Sequence, residues 1–326
     1  MKKRILITVA IAFFMATVSN ANVWRVNNIS GSGAHFASIN EANNSTMVQP
    51  GDTLYIEPSA TVYTLGTLTK PLTIIGNGYF LAENPETQAN TNTSAIAGIY
   101  FQTGSSGSAI MGCALNSQSY IYVSNIRIER NFITSTLNIW ANNLTDILII
   151  GNFVNTLIST QSYSGINNLL ISGNFIERSA GSAAITFGTE VSAVIENNVI
   201  QGVITINNSI FSNNILRAGS FIATNTAYYN NIGNDNQFGA ANGNQQYVNM
   251  EDVFVGTGST DGKWQLKPGS PAIGAGTAGQ DCGMFDGTHP YKLSGLPSIP
   301  SIYEYLQIYN SEAQEIEVNF SVKSQN

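Results

Sequence analysis

Along residues 126–233 the apolar positions recur in a fixed frame. ILIIGNFV at 147–154 returns as LLISGNFI at 169–176 and as IRIERNFI at 126–133. With the Asn at position zero, one apolar residue stands at −3 and another at +2. The frame fits Ile128, Asn131, Ile133, then Ile149, Asn152, Val154, then Ile171, Asn174, Ile176. It continues through Ile195, Asn198, Ile200 and Phe211, Asn214, Leu216, and weakens at Tyr228, Asn231, Gly233. Upstream, Ile74, Asn77, Tyr79 fit, as do Ile110, Cys113, Leu115 with Cys in place of Asn.

Zero positions lie 16–24 residues apart, except for 36 between Asn77 and Cys113, where the stretch 84–108 has room for one irregular extra coil. Such spacing is too short for propeller blades, which need about 40 residues or more. Within a unit, pairs such as Ile126/Ile128 and Leu137/Ile139 alternate as strands do. Asn, Gly and Ser between them mark tight turns, which predicts three short strands per unit. One such unit cannot bury a core alone, whereas stacked units can. Asn suits the recurrent corner because it tolerates left-handed backbone and its amide bonds locally. Stacked amides can also bond one another. The predicted ladder is Asn77, Cys113, Asn131, Asn152, Asn174, Asn198, Asn214 and Asn231, with Cys113 a rung that lacks the amide.

An open stack needs its ends covered. HFASINEANN at 35–44 puts Phe36, Ile39 and Ala42 or Asn43 on one helical face, which predicts a short capping helix. The Pro-rich run 288–300 reads as an extended connector. IYEYLQIY at 302–309 and IEVNFSV at 316–322 alternate and predict a terminal hairpin.

On these copies the chain resembles right-handed parallel β-helix proteins of the pectate-lyase-like superfamily. GDTLYIEPSATVY at 51–63, followed by LTIIGNG at 72–78, resembles a first coil common in that group. WQLKPGSPAIGAGTAGQDCGMFDG at 264–287 resembles a closing segment of many secreted bacterial members. The resemblance implies an all-β, single-stranded right-handed parallel β-helix of about ten coils. The expected division is 1–21 leader, 22–287 β-helix with N-terminal cap and closing coil, and 288–326 connector and hairpin-like tail. Many relatives are polysaccharide lyases or hydrolases, so a catalyst has to be sought among the residues.

Composition narrows the setting. Lys2, Lys3 and Arg4 precede an apolar stretch from Ile5 to Val18, and Ser19-Asn20-Ala21 fits a cleavage site. Export to the cell exterior, surface or periplasm is the expectation, with no transmembrane segment after cleavage. Beyond Ala21, ten cations face twenty carboxylates, a formal charge of −10 that disfavours nucleic acid as a partner. Cys113 and Cys282 are the only cysteines and have no metal-ligand spacing, so neither a metal nor a cofactor is expected.

Glycoside hydrolysis generally uses two facing carboxylates, and a lyase needs a base. Between Asn77 and Asn231 there is no Lys or His. Glu129 and Glu196 share position −2 three coils apart, roughly 14 Å at ~4.8 Å per coil. That exceeds the ~6.5–9.5 Å of inverting glycosidases. Glu177, Arg178 and Arg217 suit surface pairs between nearby coils. The signatures of polygalacturonases and pectate lyases are absent. In YIYV at 120–123, Ile121 and Val123 face the core, which leaves Tyr120 and Tyr122 outside. In LNIW at 137–140, Asn138 and Trp140 are outside by the same alternation. These four are the candidate ligand-binding residues, because sugar rings stack on exposed aromatics. The expectation is a non-catalytic structural, adhesive or glycan-binding protein, the alternative a polysaccharide lyase-like enzyme.

Overall fold

The computed structural model describes residues 21–325, so the predicted leader, Ala21 apart, lies outside the described residues. The chain winds into the expected all-β parallel β-solenoid, of about nine turns. Three parallel sheets form its walls. Sheet A has ten strands, from Val23–Val26 to Ala227–Tyr229. Sheet B has eight, from Ala95–Ile96 to Ile232–Gly233, and sheet C eight, from Gly66–Leu68 to Phe221–Thr224.

The repeat frame maps directly onto the interior. Position −3 forms a column through sheet A, Ile128–Ile149–Ile171–Ile195–Phe211, paired residue to residue between turns. Position +2 forms a second column through sheet B, Ile133–Val154–Ile176–Ile200–Leu216. Every member of both columns is fully buried. Stacking thus buries what no single turn could cover.

Between sheets A and B runs the ladder. The Asn131 N–H donates to Asn152 Oδ1 at 2.9 Å, and Asn152 N–H to Asn174 Oδ1 at 2.8 Å. The pattern repeats through Asn198, Asn214 and Asn231 and ends on Asn244, each step 2.9 Å. Each Nδ2 also donates to backbone carbonyls, Asn174 to Ile149 O at 2.8 Å and Ser172 O at 3.0 Å. Cys113 joins only through its N–H, which donates to Asn131 Oδ1. The left-handed corner residue is not the ladder Asn, as expected from its side chain, but the residue before it. Gly112, Arg130, Gly151, Gly173, Asn197, Asn213 and Asn230 carry φ between 51° and 69°. The Asn at zero supplies hydrogen bonds, while the turn itself falls on its neighbour.

Asn77 stands outside the ladder. Its Nδ2 donates to Asn90 O at 2.8 Å and Asn92 O at 3.1 Å, and its N–H donates to Ser94 Oγ at 3.0 Å. The 36-residue spacing therefore holds no extra coil. The loop 77–94 bulges out between the sheet A strand Thr73–Ile75 and the sheet B strand Ala95–Ile96.

The N-terminal end is covered by a helix at Ile39–Asn44, with Ile39, Ala42 and Asn43 buried. Ser38 caps it, its Oγ accepting from the Glu41 N–H at 3.1 Å, and Glu41 Oε2 accepts from the Ala37 N–H. At the other end the segment expected as a closing coil and connector adds no strand to the three sheets. Residues 250–297 instead fold back along the outside as a strap. It passes the corners from the last turns to the first: Thr277 N–H donates to Asn213 Oδ1, Asn197 Nδ2 to Asp281 O, and Arg130 Nη1 to Leu296 O. A Cβ on Gly173, at φ +66°, would lie 1.9 Å from His289 O, so this corner needs Gly for both its backbone and the strap's approach. Beyond the strap, Ser301–Asn310 and Glu315–Lys323 form a two-stranded antiparallel hairpin.

The strap covers a second apolar layer at position +1. Phe132, Phe153, Phe175, Val199, Ile215 and Ile232 line the outer face of sheet B beneath Phe254, Trp264, Cys282, Met284 and Tyr291. A buried polar clasp holds it there. Asp261 accepts from Tyr291 Oη at 3.1 Å, Ser294 N–H at 2.6 Å and Asn84 Nδ2 at 3.0 Å. Tyr291 Oη also meets Tyr79 Oη at 3.0 Å, and burial pushes both phenols well above their usual range.

Candidate functional site

Sheet C presents the aromatic surface. Short strands at Ile99–Phe101, Ser119–Ile121 and Leu137–Ile139 lie side by side and turn alternate residues outward. Tyr100 pairs with Tyr120 in register, and Tyr120 with Asn138. The ring centroids of Tyr100 and Tyr120 are 5.0 Å apart at 85°. Tyr120 and Trp140 are 5.2 Å apart at 85°, and Trp140 meets Tyr163 at 5.4 Å. Tyr120 and Tyr122, two residues apart at the end of the strand Ser119–Ile121, lie within 16° of parallel with centroids 5.9 Å apart.

All five rings are half-buried, shielded in part by one another. Edge-to-face contacts of this kind fix ring orientation and leave faces open to water. Tyr120 Oη donates to Gln118 Oε1, and none of the five rings hydrogen-bonds a charged group among the described residues. The surface can stack, its hydroxyl groups can donate or accept hydrogen bonds, and its indole can donate one.

Of the four predicted residues, the structure brings Tyr120, Tyr122 and Trp140 together. Asn138 faces outward yet is only 2% exposed, and its Nδ2 donates back to Thr136 O at 3.3 Å. Its register partner Tyr120 and neighbour Trp140 are large enough to cover it, so it is unavailable to a ligand. Tyr100 and Tyr163 extend the row and were not foreseen. Tyr100 was legible as the centre of IYF at 99–101, which alternates as SYI does at 119–121. Tyr163 sits in a loop that carries no periodic signal.

The charged candidates lie elsewhere. Glu129 and Glu196 occupy one column of sheet A with Ile150 and Ser172 between them. Arg217 pairs with Glu177 at 3.0 Å, but beneath the strap, with its guanidinium 3.6 Å from the Trp264 ring. Burial lowers its pKa, opposed by Glu177. Asp252 pairs with Lys267 at 3.3 Å, and Asp261 belongs to the clasp. Both thiols are buried, that of Cys282 pushed up to about 12 by burial. Among the described residues, no group of three or more His, Cys, Asp or Glu could hold a metal ion, and no helix is long and apolar enough to cross a membrane. A groove of about 1030 Å³ lies open and shallow on sheet A, lined by Leu148, Leu170, Val194 and Ile210 beside Asn168 and Asn208.

Comparison of the chain with protein-family models, with curated proteins and with solved structures found no match in any of the three.

Proposed function

We propose that this chain is an exported, non-catalytic solenoid of the pectate-lyase-like kind that binds an extracellular glycan on the outer face of sheet C. The observation that carries this reading is the row Tyr100, Tyr120, Tyr122, Trp140 and Tyr163, spread over successive turns and left uncovered by the strap. Aromatic faces on a polar wall suit the apolar faces of sugar rings, and their spacing by turns suits a chain of them. A catalytic reading has less support. Glu129 and Glu196 are three turns apart, roughly 14 Å at ~4.8 Å per turn. Among the described residues no carboxylate, His, Lys or Arg hydrogen-bonds a ring of the aromatic row.

The test is affinity electrophoresis of the full chain against neutral and acidic polysaccharides, with Tyr122→Ala and Trp140→Ala beside it. Retardation by at least one polysaccharide, reduced tenfold or more in either variant, is expected. Equal retardation of all three proteins would remove the site. Release of new unsaturated or reducing ends from any of the polysaccharides would overturn the non-catalytic reading.

A further inference from the structure

A second site lies at the ladder corner, where the strap crosses the edge of sheet A. Arg127 and Glu129 point outward from the strand Ile126–Glu129, and Arg130 occupies the left-handed corner after it. The strap brings His289 and Lys292 over them and closes a cleft of about 240 Å³. Of the ten Lys and Arg beyond residue 21, three therefore meet in one cleft, beside one of the two histidines.

Glu129 is the single carboxylate, and it is already committed. Its Oε2 accepts from Arg127 Nε at 2.7 Å, and Arg130 Nε lies 3.4 Å from its Oε1. Arg130 is tied further by Nη1 to Leu296 O at 2.9 Å. Three cations against one carboxylate leave a surplus of two positive charges, on a chain whose formal charge beyond residue 21 is −10. The Arg127 Nη groups, Lys292 Nζ and the His289 ring make no hydrogen bond among the described residues. Like charges held this close repel, and a bound anion offsets that repulsion. Guanidinium donors fixed by an internal carboxylate are also pre-oriented for an oxyanion.

We infer that this cleft binds a small oxyanion: a carboxylate, sulfate or phosphate group. Its volume falls below the ~300–1,000 Å³ of sites for drug-sized ligands, so it takes one charged group and not an oligomer. The group can carry an extension. Arg127 pairs in register with Leu148, where the open groove of sheet A begins. This inference stands apart from the aromatic row on sheet C and does not rest on it.

Calorimetric titration of the full chain with sodium glucuronate, sulfate and inorganic phosphate, at fixed ionic strength in chloride, tests it. Saturable binding of at least one is expected, with tenfold or greater weakening in the double variant Arg127→Gln/Lys292→Gln. Glucuronate binding tightest would indicate an acidic saccharide as source, and sulfate or phosphate tightest an inorganic or esterified anion. Both outcomes support the site. Should the double variant not fold, Lys292→Gln alone is expected to weaken binding threefold or more. No saturable binding of any of the three, or undiminished binding in the folded variant, would overturn it.

Discussion

Two rows of aromatics run along the outside of the solenoid, and only one has been covered. On sheet B, Phe153 and Phe175 stack at 4.4 Å and are sealed under the strap by Trp264, 4.9 Å from Phe175. On sheet C, Tyr100, Tyr120, Tyr122 and Trp140 have a similar spacing but keep hydroxyl and indole groups and part of each ring in water. Apolar Phe rows need a lid, whereas Tyr and Trp rows can stand at a wet surface. The first row is a second core, held for stability. The second keeps part of each ring at the surface.

That contrast is broken most severely at Phe175, which is fully buried. Phe175→Ala is expected to cost about 3–5 kcal/mol, through lost burial and a cavity that stacked neighbours cannot fill. Denaturant unfolding should show the loss. A change within ~1 kcal/mol would mean that the strap rests loosely on sheet B.

Next comes the ladder at the corner between sheets A and B. Asn174→Ala leaves the Asn152 N–H without its acceptor, Asn198 Oδ1 loses the Nδ2 donor while keeping the Asn174 N–H, and Ile149 O and Ser172 O each lose a donor. Buried polar groups left unpaired cost about 1–3 kcal/mol each, so a loss of roughly 2–4 kcal/mol is expected. Cys113 shows that the first rung can do without the amide, because its N–H still reaches Asn131 Oδ1. Cys113→Ala is accordingly expected to cost less than Asn174→Ala in the same unfolding assay.

How far this was legible depends on which face of the phrase is considered. The −3 and +2 positions of ILIIGNFV disclosed the core, since interior residues must recur at every turn. The Phe at +1 also recurs, in three successive copies at 132, 153 and 175, yet it points away from the core. Nothing local in the sequence says what covers an outward Phe. The cover lies about ninety residues on, in a strap without periodicity, so Trp264 and Tyr291 could not be placed over it. The last rung, Asn244, was hidden for the opposite reason. Ala241 and Gln246 stand at its −3 and +2, and without an apolar frame the Asn reads as loop. The Arg127 cleft needed both kinds of information, because His289 and Lys292 arrive with the strap.

Arg217 probes the margin of the covered row. Its guanidinium lies over Trp264 and pairs with Glu177, whose side chain is 37% exposed and therefore partly screened. Arg217→Ala removes the cation, the packing and the pair together, and an expected loss of about 1–2 kcal/mol follows. Arg217→Met keeps apolar contact with Trp264 and is expected to lose less than ~1 kcal/mol. An equal loss for Met and Ala would mean that the charged group, and not the packing, secures the strap.

The smallest effect is expected on the open row. Trp140 loses contacts with Tyr120 and Tyr163 when truncated, and both of those rings are only half-buried. Trp140→Ala should therefore change unfolding free energy by about 1 kcal/mol or less, against the several expected at Phe175. The ratio matters more than either value. If Trp140→Ala were as costly as Phe175→Ala, sheet C's aromatics would be a third core surface, and their partial exposure would no longer argue for a ligand. If it is nearly neutral while polysaccharide retardation falls tenfold, stability and recognition sit on different faces of one repeat.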